Sequence, residues 1–335
     1  MRARKTLTLA LALGVLAVPA LGQPAVAAED PTTALGTVFM PNPVVQLQDQ
    51  SLTDQKDRDY PALAGAYRDV TLTNLDGTGY LHGDYAFVSG TKNDAYSATA
   101  EFLWHRSHAW FEQVVAYKAV TDAQLYIQSL GFTGETGVND EPQDVRVAQY
   151  GGDNSFYDPA KDAMTFGKGG VDDGEDMEVI WHEYGHAIQD DIQPGFGVTH
   201  DANSIGEGFG DYWAFTMSEP VSGGYDPACI ADWDSISYTS TEPHCLRRVD
   251  LDLTVDDQTG RIHHDGQIWS RALYDIHGAL GRETADRIIL QSHFVMGVDP
   301  SFAEAALATV ATADELAGHG AAVKVQRAFE DRGIL

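Results

Sequence analysis

One stretch constrains this chain more than any other: Val179-Ile180-Trp181-His182-Glu183-Tyr184-Gly185-His186-Ala187. Read as an α-helix, it puts His182 and His186, four residues apart, on one face, where both imidazoles reach a single metal ion. Glu183 lies about a quarter-turn away, close enough to a water on that metal to take its proton. The spacing predicts a helix over roughly 173–189. Met177, Ile180, Trp181, Tyr184 and Ile188 form its apolar stripe, and the polar trio faces a cleft.

A second segment completes the donor set. Pro194-Gly195-Phe196-Gly197 breaks the first helix, and Asn203 or Ser204 is the expected cap of a second, Ile205 to Phe215. Glu207 and Asp211 share a face of it. Glu207 is the expected third ligand, since two His, one Glu and a water make a catalytic rather than a closed structural zinc set. Asp211 is expected to hydrogen-bond a ligand histidine, His182, and fix its tautomer. Gly206, Gly208 and Gly210 cost helix stability, which points to a close approach of backbone or metal site.

The 335 residues carry 21 Lys+Arg against 50 Asp+Glu, a formal net charge of -29. That balance excludes a nucleic-acid partner, because phosphate binding needs basic patches. It fits calcium binding or solubility outside the cell. Arg2, Arg4 and Lys5, then the apolar run Leu7 to Val18, then Ala25-Val26-Ala27 read as a signal peptide over 1–27. That apolar run is shorter than the ~20 residues a span needs and no other stretch qualifies, so the expectation is a secreted, extracellular protein without stable membrane association. Cys229 and Cys245 are then expected to form a disulfide. Asp172-Asp173-Gly174-Glu175-Asp176 is explained by the positive end of the helix that follows, with calcium as the alternative reading.

The remaining pattern is β-rich from about 29 to 97 and helical from about 98 to 130, ending at Gly131. His105 and His108 read as ordinary histidines at a helix start rather than ligands. Val145 to Ala148 reads as a strand. Asn154-Ser155-Phe156-Tyr157 and Met164-Thr165-Phe166 form a hairpin around Asp158-Pro159, whose edge can hold an extended peptide near Asn154 and Ser155. The stretch 219–260 is expected to be an irregular surface excursion. Helices follow from Arg261 through His277 and at about 282–296, 300–316 and 320–331.

These pieces resemble the gluzincin metallopeptidases, the thermolysin and fungalysin families, with wording closer to fungalysin. The matching segments are His182-Glu183-Tyr184-Gly185-His186, Gly206-Glu207-Gly208-Phe209-Gly210-Asp211 and Ile262-His263-His264-Asp265-Gly266, with Asn154-Ser155-Phe156-Tyr157 similar to the substrate-binding edge strand. The likeness runs over roughly residues 95 to 330 in the family's order. It implies an α+β, two-lobed zincin: a β-rich N-terminal lobe over 28–190 ending in the zinc helix, and a helical C-terminal lobe over 191–335. It implies one catalytic Zn²⁺, with Ca²⁺ as a further candidate, a protein or peptide substrate, and hydrolysis with Glu183 as general base. His263, three residues before the glycine, matches the family's oxyanion-stabilising histidine. His264 is the runner-up, and Asp256 or Asp257 are candidates to orient it. Two departures stand out. Only about seventy residues lie between the leader and the first helical block, so no long pro-domain is expected. The stretch Phe196 to Ser204 also lacks the tyrosine that thermolysin-type enzymes use at the oxyanion. The alternatives are an aminopeptidase of the same type, or a secreted peptide- or metal-binding module on a degenerate protease fold, which would have no use for Glu183.

Overall fold

The computed structural model describes residues 32–335; the signal-peptide expectation for 1–27 lies outside the described residues. The N-terminal part is built from short strands. β1 (Ala34–Val38) pairs antiparallel with β2 (Arg68–Leu72) and, after β3 (Ala86–Ser89), parallel with β4 (Glu101–Phe102). A short helix, α1 (Pro43–Leu47), is capped by Asn42, which accepts from the Val45 amide. Strands are sparser here than the 29–97 pattern implies, because turns take up much of 73–100.

α2 (Phe111–Ser129) is the first long helix. Nearly all of it is buried, including Gln113, Thr121 and Gln124, so it runs through the core rather than along its surface. The expected helical block begins later than 98 because His105 and His108 lie in a loop. His105 stacks on Tyr67 and pairs with Asp59, which confirms an ordinary role.

β5 (Gln143–Arg146), β6 (Ser155–Asp158) and β7 (Ala163–Phe166) join β3 in a four-stranded sheet of order β3-β5-β7-β6. The hairpin falls where the turn chemistry puts it, with Ser155 opposite Phe166 and Asp158 opposite Ala163. β6 is therefore an edge, and it lies against the next helix, α3 (Met177–Ile192).

Asp176 caps α3 by accepting from the Glu178 amide. A 3₁₀ turn over Asp173–Glu175 precedes it, so the acidic run folds into buried contacts instead of forming a first helical turn. The apolar stripe Met177, Ile180, Trp181, Tyr184 and Ile188 is fully buried, as its periodicity requires. α4 (His200–Ser218) starts earlier than expected because Thr199, not Asn203 or Ser204, is the cap, accepting from the Ala202 amide. β8 (Cys229–Ile230) and β9 (Arg247–Arg248) follow, tied by a disulfide between Cys229 and Cys245. α5 (Ile262–Leu280), α6 (Arg282–His293), α7 (Phe302–Ala317) and α8 (His319–Glu330) match the late helical patterns. The segment 219–260 corrects an expectation. Its residues Ala228 to Trp233 are buried, so it walls the interior rather than bulging from the surface.

Candidate active site and metal centre

Helices α3 and α4 cross at glycines. A Cβ on Gly185 would lie 2.9 Å from the Gly210 Cα, and one on Gly210 would lie 2.7 Å from His182 Nδ1. On the other side of α4, a Cβ on Gly208 would lie 2.3 Å from the Gly266 carbonyl of α5. The glycines let three backbones close around one point, as the helix-stability cost suggested.

At that point His182, His186 and Glu207 converge, with donor atoms all within 4.8 Å of one another. Glu207 lies 3.4 Å from His182 Nε2 and 3.9 Å from His186 Nε2. Zinc bonds of about 2.0–2.1 Å in tetrahedral directions separate donors by about 3.3 Å, so these residues fit the ion. The polar neighbours of Glu207 Oε2 are the His182 and His263 ring nitrogens, each 3.4 Å away, a setting that a cation between them would complete.

The electrostatics divide the trio. Burial opposes a charge on His182, but hydrogen bonds to Asp211 and Glu207 outweigh it and push the ring up to about 10. Burial drives His186 down to about 4. Burial also opposes the Glu207 carboxylate, yet the His182 hydrogen bond and both imidazoles hold it well below the usual range. Glu183 is pushed up to about 7, by burial first and then by Glu207, against the pull of His182. Its carboxylate also faces the Tyr157 amide of β6.

Asp211 lies 2.9 Å from His182 Nδ1, as expected, and is fully buried. Its other partner was not anticipated. Arg247 of β9 grips it with two bonds, Nε to Oδ2 at 2.7 Å and Nη2 to Oδ1 at 2.8 Å. One signal for it existed: Arg247 and Arg248 are the only Lys or Arg between 219 and 260, in an acidic stretch.

His263 sits at the mouth, 61% exposed, with Nε2 3.4 Å from Glu207 Oε2. His264 instead pairs with Asp265 at 3.0 Å, and the other Asp265 oxygen takes His200 at 2.9 Å. Neither Asp256 nor Asp257 orients these rings; Asp257 caps Thr254. Asn154 and Ser155 border two cavities that meet at His182, Glu183 and His263. The Ser155 hydroxyl is taken by Asp173, and its carbonyl accepts from Asn154 Nδ2 at 3.1 Å.

Behind the site Asp176, Glu178 and Asp232 form a second cluster, entirely buried, with oxygens within 4.8 Å of one another. Asn42 bonds both Asp176 and Glu178, and Asp232 Oδ1 has no partner.

A two-histidine, one-glutamate donor set on crossing helices, in a mixed α+β fold with an edge strand beside it, defines a metallopeptidase of the thermolysin-like fold. The protealysin precursor, a metalloproteinase from Serratia proteamaculans, shares this fold with a TM-score of 0.59 at 18% identity, over 74% of this chain and 87% of that one. The fungalysin metallopeptidase (M36) family model matches residues 102–334. The chain belongs to that family, and is a metal-dependent metalloendopeptidase acting on peptide substrates. No curated protein matches it.

Proposed function

We propose that this protein is a secreted zinc endopeptidase in which Glu183 is the general base. The observation that carries the reading is Glu183 itself, buried beside the three converging donors at the junction of two cavities. Zinc, when bound, supplies a Lewis acid for the scissile carbonyl and lowers the pKa of a coordinated water to about 7. His182, His186 and Glu207 would hold it. Glu183 takes the proton of the attacking water and later gives it to the leaving amine. His263 at the mouth donates to the carbonyl oxygen as it becomes anionic, worth roughly 3 kcal/mol in the transition state. Asp211 keeps the His182 ring in one orientation, and Arg247 keeps Asp211 in place. The free edge of β6 at Asn154 and Ser155 holds the substrate main chain.

A hard cation such as calcium fits the all-oxygen cluster of Asp176, Glu178 and Asp232. Secretion is supported by the disulfide and by the acidic composition. Among the described residues no helix is long and apolar enough to cross a membrane.

The test is Glu183→Gln. Zinc content by metal analysis should stay near one per chain, while protein hydrolysis is lost. Wild-type turnover by the variant would remove Glu183 from the mechanism.

A further inference from the structure

Past His182 and Glu183 the cleft opens into a cavity of about 760 Å³. Its lining includes the apolar side chains Val179, Ile230 and Leu246. It also includes three carboxylates from separate segments: Asp153 before β6, which is exposed, and the buried Asp173 before α3 and Asp234 in the disulfide-tied stretch. Their oxygens lie within 4.8 Å of one another. Asp173 is 2% exposed and Asp234 is 5% exposed. Each spends Oδ2 on a neighbour, Asp173 on Ser155 and Asp234 on the Tyr238 hydroxyl. Oδ1 of both has no hydrogen-bond partner.

Burying like charges together is costly, and the carboxylates show it. Burial first pushes all three up: Asp153 to about 6 with help from Asp54, Asp173 to about 6 with help from Asp153, and Asp234 well above the usual range with help from Asp173. Among the described residues no Lys, Arg or His forms an ion pair with any of the three. Two arginines border the same cavity: Arg247 is committed to Asp211, and Arg261 forms no ion pair among the described residues. The unpartnered oxygens of Asp173 and Asp234 can accept from a cation that enters the cavity.

We propose that this pocket receives the cationic side chain, lysine or arginine, of the substrate residue adjoining the scissile bond, so that the enzyme cuts beside basic residues on one fixed side. The inference rests on the peptidase reading above. The chemistry matches part by part. Three charge-assisted bonds of about 2.8 Å from one ammonium place their acceptors about 4.6 Å apart. The alkyl stem of lysine or arginine packs along Val179, Ile230 and Leu246 while its head reaches the acids. The cavity is continuous with Glu183, so the residue it holds is next to the bond being cut. The chain's net charge of -29 draws basic segments toward the cleft.

The experiment uses the purified, zinc-loaded protein on a peptide library of mixed sequence, with products mapped by mass spectrometry. Lys and Arg should be enriched at one position flanking the cut. In Asp234→Asn, and separately in the milder Asp173→Asn, the ratio of kcat/KM for a Lys peptide to that for its Leu counterpart should fall by roughly 30-fold or more. Cleavage with no basic preference overturns the pocket assignment alone, as does a basic preference that both variants retain. Calorimetric titration with calcium alone gives the other arm: tight binding abolished by Asp234→Asn would make the cluster a metal site and overturn the inference. A zinc-loaded chain that cleaves nothing refutes the peptidase reading, and the pocket falls with it.

Discussion

Arg247 offers the sharpest test of how the metal site is held. Its side chain is about 10% exposed and its partner Asp211 is fully buried. Burial opposes the Asp211 charge, and Arg247, then His182, outweigh that and keep the carboxylate below its ordinary range. Arg247→Met keeps most of the side-chain length but removes the two bonds, leaving a buried carboxylate with His182 as its remaining ionic partner. Breaking one side of such a pair costs about 3–5 kcal/mol. At roughly 2–4 °C per kcal/mol for a chain of this order of size, the midpoint of thermal unfolding should drop by roughly 6–20 °C. His182 also loses the support that orients it, which costs about 10- to 100-fold in metal affinity or activity. Calorimetry and a zinc titration read the two effects separately. The double variant Arg247→Met/Asp211→Asn decides the cause. With both charges gone, much of the stability should return, because no unpaired ion is left behind. A single variant that melts within about 2 °C of wild type and binds zinc normally would refute the reasoning, and so would a double variant whose losses simply add.

Other outcomes follow from the same geometry. Gly210→Ala places a methyl 2.7 Å from His182 Nδ1, so zinc affinity should fall more than overall stability; metal analysis beside a melting curve checks this. The buried acids Glu112 and Asp172 set a pH dependence. Burial raises both, joined by the Asp172 charge at Glu112 and by the Asp57 charge at Asp172, which reaches about 7 although its hydrogen bond with Glu112 pulls the other way. A carboxyl raised in the folded state contributes stability that is full below its unfolded value near 4 and is lost as pH rises through about 7. Glu112→Gln should therefore be more stable than wild type at pH 8, by on the order of 1–2 kcal/mol, and no more stable at pH 4, as urea titrations at the two pH values would show.

The donor trio was legible in the sequence because helix periodicity is local. His182 and His186 share a face by spacing alone, as do Glu207 and Asp211, and the glycines of α4 announced a crossing. The resemblance added His263 and the β6 edge, and both lie beside the cleft. The Thr199 cap was missed because Asn203 and Ser204 are equally good capping types; only the path after Gly197 selects among them. Asp265, not Asp256 or Asp257, takes His264 and His200, while the turn before α5 folds Asp257 back onto Thr254 and His263 lies against Glu207. The excursion at 219–260 read as surface because its polar composition hides a buried core from Ala228 to Trp233.

By itself the sequence determined where the proposed chemistry lies: two candidate ligands and a candidate base within five residues, a third candidate ligand on the next helix, and a cysteine pair. Helical spacing over one or two turns settles these, whatever the rest of the chain does. Tertiary structure alone decided what surrounds them. Arg247 lies 36 residues from Asp211, and Asp153, Asp173 and Asp234 come from three segments that no periodicity connects. Such neighbours are chosen by how helices close over glycine and where buried charge finds its partner, which are properties of packing rather than of local pattern.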